Sequence, residues 1–236
     1  MIPIRDDLRT RRAPVVTWTI IALNALVFFY ELSLSPRALE ELFFLHGLVP
    51  ARISNPEWAA EVGFPPGGLL TFVTSTFLHG GWLHILSNMW ILWIFGDNVE
   101  DEMGRFRFLA FYLICGAVAG AVHWFANPVS IVPTVGASGA IAGVLGGYFL
   151  MHPRAQVLTL FPIIFIPLFF WMPAVLFLLI WFVTQLVQGS ASGLATDAVG
   201  GVAWWAHVGG FVCGAVLHRL FLARDHVLAR SVRERW

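Results

Sequence analysis

Charged side chains are scarce in this chain. They make up 12% of its 236 residues, against about 25% in a typical soluble domain, and none is a lysine. Acids and bases balance at 14 each, so there is no basic surplus for phosphate backbones and nucleic acid is excluded as a partner. Cysteine is nearly missing: Cys115 and Cys213 are the only two, both inside apolar runs, and they imply no disulfide framework. There is no His-Glu-x-x-His, so a zinc protease would lack its ligands and base. An aspartyl mechanism needs two membrane carboxylates sharing a proton, and the only candidates, Asp97 and Asp197, sit near the ends of apolar runs.

What the chain has in quantity is apolar surface. AVILMFWYC residues make up 58%, including 21 Phe and 11 Trp, and the mean hydropathy is +0.76. A water-soluble globule of this size has no interior large enough to hide so much apolar surface. The composition predicts an all-α polytopic membrane protein.

Crossing a hydrocarbon core of roughly 30 Å takes about 20 residues. Apolar runs lie at 15–34, 80–95, 106–125, 137–151, 157–187 and 202–222. The first follows four arginines and resembles a signal peptide, but it is too long for one and no A-x-A-type site follows, so it reads as a retained span. The 157–187 run is too long for one upright span and too short for two. Pro162, Pro167 and Pro173 interrupt its first half, so 157–170 reads as an interfacial or broken lead-in and about 171–188 as the span. That makes six spans with both termini on one side. Of the 14 arginines, twelve fall on that side and only Arg37 and Arg52 on the other, a positive-inside bias that predicts cytoplasmic termini. The expected organisation is a cytoplasmic segment 1–14, a six-helix membrane domain 15–222 and a cytoplasmic basic tail 223–236. The long, partly apolar first loop, about 35–79, is expected to lie in or on the outer leaflet.

Ionisable groups at membrane depth are costly and so are functional candidates. Span two carries His79, His84 and Asn88, span four opens with Gly136-Ala137-Ser138-Gly139, and span six carries His207. Counting at about 1.5 Å per residue from the inner anchors puts His84, Ser138 and His207 in one layer, roughly 10 Å below the outer face. Gly139, Gly143 and Gly147 repeat every four residues on span four, and Gly210 and Gly214 do so on span six. Such stripes let helices approach closely in lipid, which would bring His207 to Ser138 as the base a serine nucleophile needs. His84 and Asn88, one turn apart, supply hydrogen-bond donors of the kind an oxyanion hole requires, beside the free N–H groups opening span four. Taken singly these residues have plainer readings: a serine packed among glycines, histidines bridging helices, a proton relay. A shared depth and matching faces favour an acyl-transfer site. His79 is placed nearer the surface, as a support or a gate for water. His123, His152, His218 and His226 read as interfacial, and Asp197 as a weak candidate to orient His207.

With these motifs in order on the proper spans, the sequence resembles the rhomboid family of intramembrane serine proteases. The match rests on His-x-x-x-Asn (His84, Asn88), Gly-x-Ser-Gly (Gly136 to Gly139) and Ala-His-x-x-Gly-x-x-x-Gly (Ala206 to Gly214). The resemblance implies Ser138 as nucleophile, His207 as general base, and an oxyanion hole from His84, Asn88 and the Ser138 N–H. His79 would support it, with no metal or cofactor. It further implies transmembrane protein substrates cut near their outer ends, entering from the bilayer beside span five and about residues 189–201. Two positions depart from the family: Leu70-Thr71 stands where many members carry Trp-Arg, and Ala142 where some bacterial members stack an aromatic on the catalytic histidine. A catalytically silent relative would usually lack the serine or histidine, and a transporter would show repeated halves, of which there is no trace. Because no targeting extension is visible, a bacterial plasma membrane is expected.

Overall fold

The computed structural model describes residues 1–163, 166–192 and 203–223. A short strand, β1 (Ile2–Asp6), precedes α1 (Val15–Ser33). Four short helices follow, α2 (Pro36–His46), α3 (Pro50–Ser54), α4 (Pro56–Glu61) and α5 (Thr71–Thr74), then a 3-10 turn (Ser75–Phe77). The long helices α6 (Trp82–Met103) and α7 (Arg105–Ala126) lead to α8 (Ser138–Met151), strands β2 (Gln156–Ile163) and β3 (Ile166–Pro173), and helices α9 (Ala174–Ser192) and α10 (Trp204–Phe221). The fold is mostly helical. Among the described residues, three helical stretches are long and apolar enough to cross a membrane: α1, α7 and Ala174–Ala191 of α9.

The expectation of an all-helical chain is corrected by a three-stranded antiparallel sheet in the order β1-β2-β3. The stretch read as a broken lead-in is a hairpin in which Pro162 lies opposite Pro167 and Gln156 opposite Pro173. Pro167 and Pro173 share one parity of β3, so their nitrogens face the same edge, and on an edge strand a missing N–H costs no ladder hydrogen bond. Helix resumes directly after Pro173, three residues later than expected. The segment 1–14 is also structured, because β1 pairs with β2 from Ile2↔Leu160 to Asp6↔Val157. Most of the basic tail, Asp197 and residues 193–202 of the connection before α10 lie outside the described residues.

At its C-terminal end, α6 gathers both ends of the helical core. Glu100 is buried and caps α1, accepting from Val16 N (3.0 Å), Thr17 N (2.7 Å) and Thr17 Oγ1 (2.8 Å), as a carboxylate at a helix N-terminus should. Ala223, just past α10, donates its N–H to Glu102 O. Gly104, at φ +77°, turns the chain from α6 into α7. Nearby, Asp6 accepts from Tyr148 OH (2.7 Å) and Asn98 Nδ2 (2.8 Å), tying the sheet to α8 and α6.

Between α1 and α6, Arg52 pins the short helices together. It is buried, donates to Leu45 O (3.0 Å) and Pro65 O (3.2 Å), and its guanidinium lies 5.0 Å from the Phe64 ring centroid. The segment before α8 is held against this region by paired bonds between Leu48 and Thr134 and by Ala51 N to Ser130 O. Gly136 N then donates to Ser75 O, so the start of α8 is fixed from both sides.

The core centres on α8, where Gly139 through Tyr148 are all buried among α6, α7 and α10. A helix with no polar face has no side to show to water. A Cβ added at Gly210 would fall on Gly139 O, one at Gly214 on Gly143 O, and one at Gly146 on Phe211 O. The backbones of α8 and α10 are therefore in direct contact, as the glycine spacing predicts. The exception is Gly147, which faces Phe111 on α7, while Gly146 faces α10 in its place; an α-helix drifts about 40° over four residues.

Burial pushes the Asp6 carboxyl up to about 6 from its ordinary 3.8, against the lowering effect of the Tyr148 bond. A carboxyl raised on folding stabilises the fold fully below its unfolded value, and that contribution is lost as pH rises through the folded one. The thermal stability of the detergent-solubilised parent relative to Asp6→Asn is expected to be lower at pH 7 than at pH 4.5.

Candidate active site

Ser138 is the first residue of α8 and is half-buried. Gly136, two residues earlier, has φ +130°, a conformation that admits glycine and few others. The first N–H of α8 to find a helical acceptor belongs to Ile141, bonded to Ala137 O. The preceding N–H groups, Ser138's among them, thus point off the helix end beside the hydroxyl.

His207 stands in the first turn of α10 and is buried. Its Nε2 lies 2.7 Å from Ser138 Oγ. Gly139, whose carbonyl rests on Gly210, is one residue beyond Ser138, and Gly210 is three beyond His207, so the close approach of the two helices sets this distance. A hydroxyl hydrogen-bonded to an imidazole nitrogen is the arrangement that activates a serine nucleophile.

His84, in the first turn of α6, accepts at Nδ1 from Gly80 N (3.3 Å), which leaves the proton on Nε2. A Cβ built on Gly136 would lie 2.6 Å from His84 Nε2 and 3.7 Å from Ser138 Oγ, so this donor and the hydroxyl flank the same glycine. Asn88, one turn on, is buried and places its Nδ2 3.1 Å from His79 Nε2. His79 is enclosed by the protein. It is 1% exposed, packs edge-on against His84 at 5.1 Å, and donates its backbone N–H to Glu31 Oε1 at 3.1 Å. His123 is likewise structural: its Nε2 meets Thr134 Oγ1 at 2.9 Å, on the connection that positions Ser138.

Two residues at the site escaped the sequence reading. Glu31 is a buried carboxylate inside the first apolar run, and the cost argument that singled out the histidines applies to it equally. Gln185, on α9, places Oε1 2.7 Å from His207 Nδ1; a lone amide in a long apolar run was the available signal. Together with the rings of Trp181 (5.9 Å) and Trp204 (6.0 Å, perpendicular) it surrounds the imidazole. That answers the departure at Ala142. Ala142 is fully buried beside Gly210, and the imidazole is braced from α9 and from Trp204 instead.

The Rhomboid domain model matches residues 66–224, and the chain belongs to the rhomboid family. Rhomboid-like protein 11, chloroplastic, of Arabidopsis thaliana is 34% identical over 134 residues, 57% of this chain and 41% of its own length. Presenilin-associated rhomboid-like protein, mitochondrial, of Mus musculus is 29% identical over 206 residues, 83% of this chain and 45% of its own. Rhomboid protein 1, mitochondrial, of Saccharomyces cerevisiae is 33% identical over 100 residues, 40% of this chain and 29% of its own. The chain spans less than half the length of these relatives. Their chloroplastic and mitochondrial names overturn the expectation of a bacterial plasma membrane; an apolar core reports the presence of lipid and not which membrane holds it.

If the packing of α8 on α10 sets the Ser138–His207 distance, Gly210→Ala is expected to lose about 1–3 kcal/mol of stability. It should also slow reaction of Ser138 with a fluorophosphonate far more than Gly147→Ala, whose new Cβ meets only side-chain ends, the Phe111 ring tip and Met151 Cε. Equal labelling rates in the two variants, read by gel fluorescence, would count against that role for the packing.

Proposed function

We propose that the chain is an intramembrane serine endopeptidase that cleaves transmembrane segments of other membrane proteins near the outer face of the bilayer. The observation that carries this reading is the 2.7 Å approach of Ser138 Oγ to His207 Nε2 between two helices of an apolar bundle. Ser138 attacks the scissile carbonyl carbon while His207 Nε2 takes its proton. The tetrahedral oxyanion receives hydrogen bonds from His84 Nε2–H, from the Asn88 amide and from the Ser138 backbone N–H. Collapse expels the amine, which takes the proton back from His207, and leaves an acyl-enzyme. A water activated by the same imidazole then releases the second product and restores the serine.

In this reading α1, α6, α7, α8, α9 and α10 are the six spans of a membrane domain over 15–222. The segment 1–14 and the tail 223–236 share the arginine-rich face, and the short helices between α1 and α6 rest on the outer leaflet. Substrate enters sideways from lipid beside α9. The relatives' names suggest an organellar membrane. A binding protein built on the same fold is the alternative class, and labelling separates the two.

Detergent-purified protein is expected to react with a fluorophosphonate, and Ser138→Ala not at all. His207→Ala should react about 10²- to 10⁴-fold more slowly. Equal labelling of parent and Ser138→Ala overturns the assignment, and an unreactive parent favours the binding class. On a fluorogenic transmembrane peptide, His84→Ala and Asn88→Ala should each lower kcat about 10²- to 10³-fold with KM little changed, because the oxyanion exists only past the ground state. A rise in KM alone would assign both residues to substrate binding.

A further inference from the structure

His207 makes two hydrogen bonds, and only one of them belongs to the reacting serine. The other, from Nδ1, ends on Gln185 Oε1 at 2.7 Å. Gln185 is 5% exposed, so an unpaired amide there would be costly. Its own orientation is fixed at the far end. Nε2 donates to Trp181 O at 3.0 Å and to Thr184 Oγ1 at 3.1 Å, while Thr184 Oγ1 in turn donates to Trp181 O at 2.6 Å. With both amide hydrogens engaged by acceptors on its own helix, the group presents its oxygen, and not its nitrogen, to the imidazole. An oxygen accepts, so Nδ1 must carry a hydrogen, and a neutral imidazole with its hydrogen on Nδ1 has its lone pair on Nε2, facing Ser138.

We propose that Gln185 is the positioning residue of the Ser138–His207 pair, holding His207 in the tautomer and rotation that let Nε2 take the serine proton. The proposal rests on the serine hydrolase reading above. Gln185 acts through His207, in the place a carboxylate holds in a three-residue relay. An amide suits this place where a carboxylate does not. The group must accept from His207 on one side and donate to a helix carbonyl on the other, and an ionised carboxylate would set an oxygen about 3 Å from Trp181 O. No residue of α9 is ionisable, so the helix braces the base without placing a net charge in lipid.

The plainer alternative is that Gln185 only back-bonds its own helix. Two variants separate the readings. Gln185→Met keeps the volume and removes the acceptor. Gln185→Glu, in its neutral form, keeps an acceptor oxygen for His207 Nδ1 and a hydroxyl donor for Trp181 O. The measurement is the rate of fluorophosphonate labelling in detergent, with kcat and KM on a transmembrane peptide and thermal unfolding of each form. Gln185→Met is expected to label about 10²-fold more slowly than the parent, the lower end of what a general base contributes, with the loss in kcat and not KM. Gln185→Glu should recover most of that rate. A Met variant as fast as the parent, or a folded Glu variant no faster than the Met variant, overturns the proposal. If Gln185→Met fails to unfold cooperatively while Gln185→Glu does so, the residue is a packing element and the proposal falls as well. A parent that never labels defeats the hydrolase reading itself, whereas a reactive parent matched by Gln185→Met defeats only the role of Gln185.

Discussion

Everything at the site depends on how closely the backbones of α8 and α10 touch. Lipid offers no hydrophobic drive for two apolar helices to associate, so packing and hydrogen bonding must hold them together. Here the packing has no intervening side chains: Gly210 and Gly214 lie on carbonyls of α8, and Gly146 lies on a carbonyl of α10. A hydroxyl and an imidazole on short side chains reach each other only across so small a gap. With alanine at 142, the imidazole is braced by Gln185 and two tryptophans. The helix contact thus sets the Ser138–His207 distance, while α9 and Trp204 supply the histidine's support.

The second organising element is α6, which is polar at both ends. Around its N-terminal end His79 meets both His84 and Asn88, and Glu31 reaches in from α1 to accept the His79 backbone N–H. At its C-terminal end Glu100 caps α1, and Asn98 and Tyr148 both donate to Asp6. Polar groups that cannot turn to water find partners in the protein instead. Since those partners sit on α1, α8 and the sheet, the requirement for hydrogen bonds also fixes where α6 stands. The connection from α7 to α8 follows the same logic, with His123 bonded to Thr134 and Leu48 paired with Thr134.

Much of this is legible in the order of residues alone. Helices α1, α7, α8 and α10 begin and end within two residues of their apolar runs, because a long apolar run buries best as a helix. The approach of Ser138 to His207 follows from glycine spacing and depth. The hairpin is less legible. Its prolines rule out a helix, but a strand pairing with residues 2–6 joins segments some 150 positions apart, which no local pattern encodes. The rotation from Gly147 to Gly146 is hidden because a strict four-residue repeat drifts around a real helix. The burial of His79 is hidden for a related reason: the Glu31 carboxylate that meets it comes from α1, 48 positions away.

Gln185 is the hardest to foresee, and the reason is physical. An ionisable residue in an apolar run stands out because its charge must be explained; an amide carries none and is easily taken for a tolerated substitution. Its importance comes from direction. An amide has a donor end and an acceptor end, and once Trp181 O and Thr184 Oγ1 have taken the donors, the acceptor end has one orientation left. Polarity in the chain Thr184, Gln185, His207, Ser138 therefore runs one way, each acceptor belonging to a group whose donor is already committed. In water such a chain would exchange partners continually. In a site closed off by apolar helices no competing donor or acceptor is at hand, and the order imposed by α9 is transmitted to the serine.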